Sequence, residues 1–145
     1  MYKLQTSISF ETAHRLYDVA TYSEECRNNL HGHSYRLTVV VSRKQLNDAS
    51  MVIDFKLLKK MLSEKIEDVY DHSCIVKVDD PIADVLVQNC KKVHVVKENP
   101  TAEWMAETFA KIIQKGLDSI DKKVKVVSVS IQETERNIAI YEVDG

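Results

Sequence analysis

Three cysteines, Cys26, Cys74 and Cys90, are an odd number without Cys-x-x-Cys spacing, which argues against a disulfide framework and points to reduced thiols. No apolar run approaches the length of a membrane span, and the opening Met-Tyr-Lys-Leu-Gln-Thr-Ser has no apolar core segment. Neither a transmembrane helix nor a secretory leader is expected. Twenty Lys and Arg against 22 Asp and Glu leave a formal charge of −2 and no basic stripe, which argues against nucleic acid as a direct partner. With three glycines and two prolines in 145 residues, no repeat, low-complexity tract or linker divides the chain. One cytoplasmic domain over residues 1–145 is expected, and 44% hydrophobic with 29% charged residues suit a globule with a single core.

Residue periodicity supplies the elements. Leu4, Ile8, Phe10 and His14 alternate with Gln5, Ser7, Ser9 and Glu11, the pattern of a half-buried strand over residues 4–14. A second strand over 33–42 puts His33, Tyr35, Leu37, Val39 and Val41 on one side. The polar loop between them, residues 15–30, lacks periodicity and holds Cys26, and long loops inside compact domains often carry function. Phe55, Leu58, Leu62, Ile66 and Val69 recur at helical spacing after Asp54, a residue suited to accept from first-turn amides. Another helix starts near Thr101 after Pro100, buries Met105, Phe109, Ile112 and Ile113, and carries Glu103 in its first turn. Two strands follow: one with Val127, Val129, Ile131 and Glu133 on a common face, the other over 137–143. The expected fold is α+β in the order β-β-α-α-β-β, with two helices on one face of a four-stranded antiparallel sheet. Residues 73–97 show no clear pattern beyond a short strand at Val93–Val96. Cys74 and Cys90 read as packing residues, and His94 as a plain strand position.

The chemistry concentrates in histidine. His14 ends one strand, while His31 and His33 flank Gly32 at the start of the next. Three imidazoles suit zinc and leave one tetrahedral position for water or substrate, the arrangement of a catalytic metal, or else each is an ordinary surface or core histidine. Glu133 continues an apolar face, so it either lies in solvent at the strand end or reaches a pocket and accepts two N–H bonds from a ligand such as an aminopyrimidinone ring. Cys26, five residues before His31, would be a base or nucleophile in the field of the cation, or else a small buried hydrophobe. Asp71 and His72 would form a proton relay, or else a helix-end pair.

Phe10-Glu11-Thr12-Ala13-His14-Arg15-Leu16, Cys26 with Leu30-His31-Gly32-His33-Ser34-Tyr35, Val52-Ile53-Asp54-Phe55, Asp71-His72, Asn99-Pro100-Thr101-Ala102-Glu103 and Glu133-Thr134 together resemble the 6-pyruvoyltetrahydropterin synthase and 6-carboxytetrahydropterin synthase family. The resemblance implies the tunnelling fold, in which subunits donate four strands each to a closed barrel, usually a trimer stacked into a hexamer. It implies zinc on His14, His31 and His33, Cys26 as proton acceptor, and His72 with Asp71 as a relay that meets the cysteine across a subunit interface. Glu133 would anchor the pterin ring, assisted by Thr101 and Glu103, and the substrate would be 7,8-dihydroneopterin triphosphate.

Product identity divides the family. Carboxypterin-forming members have a shorter spacing between the cysteine and His-Gly-His, pyruvoyl-forming members a longer one; here four residues intervene, Arg27 to Leu30. Leu30-His31-Gly32-His33-Ser34 resembles the carboxypterin enzymes of the queuosine (7-deazapurine) pathway, whereas Glu133 to Ile138 resembles the pyruvoyl branch. A third branch uses a glutamate near the cysteine to reach folate precursors, and Glu24 and Glu25 stand beside Cys26. The loop and histidine segment are closest to the chemistry, so the expectation is 6-carboxytetrahydropterin with release of acetaldehyde and triphosphate. Two other readings remain open: a noncatalytic zinc-dependent pterin binder, and a structural zinc protein with Cys26 as fourth ligand.

Overall fold

The computed structural model describes residues 1–19 and 23–144, so part of the 15–30 loop lies outside the described residues. The chain runs β1 (Tyr2–His14), α1 (Glu24–Asn28), β2 (His31–Arg43), α2 (Phe55–Leu62), a π-helical turn (Ser63–Glu67), α3 (Asp68–Tyr70), β3 (Ser73–Lys77), α4 (Ala83–Asn89), β4 (Val93–Val96), α5 (Ala102–Asp118), β5 (Lys125–Gln132) and β6 (Ile138–Glu142). The strands form one six-stranded sheet in the order β4-β3-β1-β2-β5-β6. The expected antiparallel set β1-β2-β5-β6 is present. It is extended, however, by β3 and β4, which pair parallel to β1 and to each other, so the sheet is mixed and six-stranded instead of four-stranded and antiparallel. These strands are five and four residues long, and short parallel strands give almost no alternation to read.

Even-numbered residues of β1 and odd-numbered residues of β2 form the inner face. Phe10, Tyr35, Leu37, Val39, Val41, Val129 and Ile131 bury there with Leu58, Leu62 and Ile66 from the α2–α3 helix and Met105, Phe109, Ile113 and Leu117 from α5. Each such side chain contributes roughly 1.5–3 kcal/mol on leaving water. Phe10 stacks on Tyr35 at 5.5 Å and meets Phe109 edge-on at 5.8 Å, which aligns the strand pair with α5. Helix α2 opens on the expected cap, with Asp54 accepting from the Lys56 amide at 2.7 Å. A Cβ at Gly116 would lie 2.8 Å from Met61 Sδ, so glycine is used inside α5 to bring α2 close.

Two expectations fail by one residue. The π-helical turn inserts an extra residue into the helix, so Tyr70 is buried in place of Val69, which is exposed along with Phe55. Between Val40 and Val41 the β2–β5 register shifts: Val127 is the bulged residue and Val126 enters the core in its stead. Cys90 is exposed and Cys74 half-buried, so Cys90 does not serve as a packing residue. Among the described residues no helix is long and apolar enough to cross a membrane.

Candidate metal centre

Strand pairing assembles the histidines. His14, the last residue of β1, lies opposite His31, the first of β2, and Thr12 lies opposite His33. The two-residue period then turns all three imidazoles to the same face. Their donor nitrogens lie within 4.8 Å of one another, and their ring centroids are 4.7–5.2 Å apart. Among the described residues this is the cluster able to hold a metal ion, and Cys26 is not part of it. A closed site with the thiol as fourth ligand finds no support in this arrangement.

Hydrogen bonds select the tautomers. His14 Nδ1 is 2.7 Å from the Pro100 carbonyl and His31 Nδ1 is 2.9 Å from the Asn29 carbonyl. A carbonyl only accepts, so both Nδ1 atoms carry hydrogen and both Nε2 lone pairs are free, the usual arrangement behind a metal-ligating histidine. Burial pulls His14 from 6.5 down to about 4, the Pro100 contact opposing and the neighbouring imidazoles reinforcing. Burial also lowers His33, partly offset by the Glu133 carboxylate. Neutral imidazole is the form that binds a metal, so the donor set fits a divalent ion at neutral pH.

That shift sets a pH dependence for the metal-free protein. Folded His14 resists the proton that the unfolded chain accepts, so its contribution is complete above pH 6.5 and is lost as pH falls toward 4. The loss amounts to roughly 3 kcal/mol. Urea unfolding midpoints in chelator should therefore fall steeply between pH 6.5 and 5, before most carboxylates titrate, and a flat profile over that interval would contradict the assignment.

Glu133 is the first residue after β5, where its amide donates to the Asn137 carbonyl at 3.1 Å to close the turn into β6. Its side chain turns inward, with Oε1 3.7 Å from both His14 Nε2 and His33 Nε2. A carboxylate facing an unprotonated imidazole nitrogen is repelled unless a cation or proton lies between them. The Tyr35 hydroxyl, fully buried, approaches His14 Nδ1 at 3.4 Å. Its proton is held tightly by burial and by Glu133. Tyr35 and Pro100 were missed in the sequence, although Tyr35 lies two residues beyond His33 on the same face and a buried phenol needs a polar partner. Glu133 also lines a cavity of about 340 Å³ with Ala102, Glu103, Asn137, Ile138, Ala139 and Ile140. Thr101 caps α5, its hydroxyl accepting from the Trp104 amide at 3.1 Å, and this places Glu103 at the cavity wall.

The remaining candidates form two separate groups. Cys26 is half-buried on α1. Asp71 and His72 pair with each other, Nδ1 to Oδ2 at 2.9 Å, and are latched to β1 through Glu11: its amide donates to Asp71 Oδ1 at 2.8 Å and its carbonyl accepts from the His72 amide at 2.6 Å. His72 takes a positive φ of 58° to make this turn. The Glu11 amide and the neighbouring His72 hold the Asp71 carboxyl below its ordinary range.

A profile of the 6-pyruvoyl tetrahydropterin synthase family matches residues 3–144. The Rickettsia conorii protein named 6-carboxy-5,6,7,8-tetrahydropterin synthase is 30% identical over 92% of this chain and 95% of its own. The Aquifex aeolicus protein of that name is 39% identical over 79% of this chain and 74% of its own. Among solved structures, the 6-pyruvoyl tetrahydropterin synthase of Caenorhabditis elegans has a TM-score of 0.66 at 26% identity, covering 99% of this chain and 96% of that one.

Proposed function

The chain belongs to the 6-pyruvoyl tetrahydropterin synthase family, and we propose that it converts 7,8-dihydroneopterin triphosphate and water to 6-carboxy-5,6,7,8-tetrahydropterin, acetaldehyde and triphosphate. The observation that carries this reading is the convergence of three imidazole nitrogens beside the Glu133 carboxylate at the edge of a cavity. The relatives named for the carboxy product favour that outcome over the pyruvoyl one.

The metal proposed for His14, His31 and His33 is zinc, which when bound supplies Lewis acidity to the side-chain hydroxyls of the substrate. Glu133 accepts from the N–H groups of the pterin ring, and Glu103 completes that wall of the cavity, held there by the Thr101 cap of α5. Cys26 removes a proton from the substrate side chain, and the Asp71–His72 pair relays protons. His72 is 77% exposed in its own subunit, which suits an approach to the Cys26 of a neighbouring copy. An assembly of that kind is supported by the open edge of β6, where Ile138 and Ile140 are exposed. Closing such edges strand to strand gives the barrel of a trimer or hexamer. Residues 1–145 act as one domain, and the free thiols suit the reducing cytoplasm.

Incubating the zinc-loaded protein with dihydroneopterin triphosphate and identifying products by mass tests the reading. Carboxytetrahydropterin with acetaldehyde is expected. Pyruvoyltetrahydropterin or hydroxymethyldihydropterin would reassign the branch, and unchanged substrate would leave a binder.

A further inference from the structure

Helix α1 has little of its own to hold it in place. It is five residues long and buries none of them, and so short a helix is not stable in water without outside support. The support is polar and comes from the residue after a proposed metal ligand. Arg15 Nη1 donates to the carbonyl of Asn28, the last residue of α1, at 3.0 Å, and the Leu16 amide donates to the Cys26 carbonyl at 2.9 Å. The guanidinium is clamped in turn by Asp80, with Nε 2.7 Å from Oδ2 and Nη2 bonded to Oδ1. Asp80 is only 3% exposed. Its carboxylate is fixed by the Ile82 amide at 2.9 Å, and its backbone by bonds to Lys77 and Ala83 at 3.0 Å each. The guanidinium also lies over the Tyr17 ring at 5.5 Å.

We infer that Arg15 and Asp80 are positioning residues for Cys26: the bidentate pair holds α1 against the end of β1, so that the thiol keeps a set place relative to the imidazoles. This gives a role to the segment between β3 and β4, which was unreadable in the sequence. A buried carboxylate sequestered from solvent costs free energy unless a charged partner meets it. Here that partner turns its third nitrogen, Nη1, to the cysteine helix. The inference rests on the proton-acceptor reading of Cys26.

Asp80→Asn keeps the shape and removes the charge, while Arg15→Lys keeps the charge and removes the planar fork. In the zinc-loaded enzyme each should lower kcat by about tenfold or more, as misplacement of a reacting group does, with KM and bound zinc near wild type. Alkylation of Cys26 by iodoacetamide, read by peptide mass against exposed Cys90, should rise about threefold or more as α1 opens locally, with half-buried Cys74 unchanged. Wild-type kcat and a wild-type Cys26 to Cys90 ratio would overturn the inference. Joint acceleration at Cys26 and Cys74 would overturn it as well, since that is general loosening. A Cys26→Ala enzyme that still turns over would instead defeat the proton-acceptor reading, and the alkylation ratio would still report on positioning.

Discussion

Cys26→Ala should lower turnover by about 10²–10⁴-fold, the range expected when a positioned proton acceptor is removed, while zinc and pterin binding stay close to wild type. The thiol is not among the converging nitrogen donors, so its removal leaves the proposed metal ligands and the Glu133 cavity intact. No core cluster is disturbed either, because α1 buries none of its residues. The measurement is single-turnover kinetics with parallel zinc analysis. Loss of zinc along with activity would make Cys26 a ligand and the site structural; unchanged turnover would make the chain a binder or transfer the proton to another group. Glu25 or Glu24, one and two residues away, would then be the next residues to remove.

Legibility of the fold followed how far each contact reaches along the chain. The β1–β2 pair could be read because period-2 alternation runs to His14 and resumes at His33; β2 in fact begins two residues earlier, and that extension makes His31 the cross-strand partner of His14. Helix α5 was equally plain, with Thr101 at its cap and Met105, Phe109 and Ile113 buried. What stayed hidden depends on partners that periodicity does not carry. The sequence shows no reason for β3 to align with β1, nor for Arg15 to reach Asp80 65 positions away. The inward turn of Glu133 was one of two open readings, and the choice between them comes from the hairpin after β5 bringing its carboxylate to two imidazoles. Single-residue irregularities did the rest: the π-helical turn exchanged Val69 for Tyr70, and the bulge exchanged Val127 for Val126.

His31→Ala should have the larger effect of the two substitutions, because it removes a proposed metal ligand instead of a group proposed to work beside the metal. Loss of an outer partner of a metal ligand costs roughly 10–100-fold in affinity, and loss of one of three ligands should exceed that. His31 is the informative choice among the three. His14 is 1% exposed and bonded to the Pro100 carbonyl, so truncating it opens a hole beside Tyr35 and confuses metal loss with unfolding. His31 is half-buried at the mouth of the strand pair, its Nδ1 bonded to the Asn29 carbonyl two residues away, so the fold should survive with little change in its unfolding midpoint. Zinc titration of the chelated variant should show weak, non-stoichiometric uptake, and turnover should fall below that of Cys26→Ala. Glu133→Gln provides the contrast, because it removes the carboxylate 3.7 Å from His14 and His33 without removing an imidazole. That enzyme should hold zinc and lose pterin affinity. Full zinc occupancy in His31→Ala would show that the ion sits elsewhere, and the chemistry assigned to the three imidazoles would fail with it.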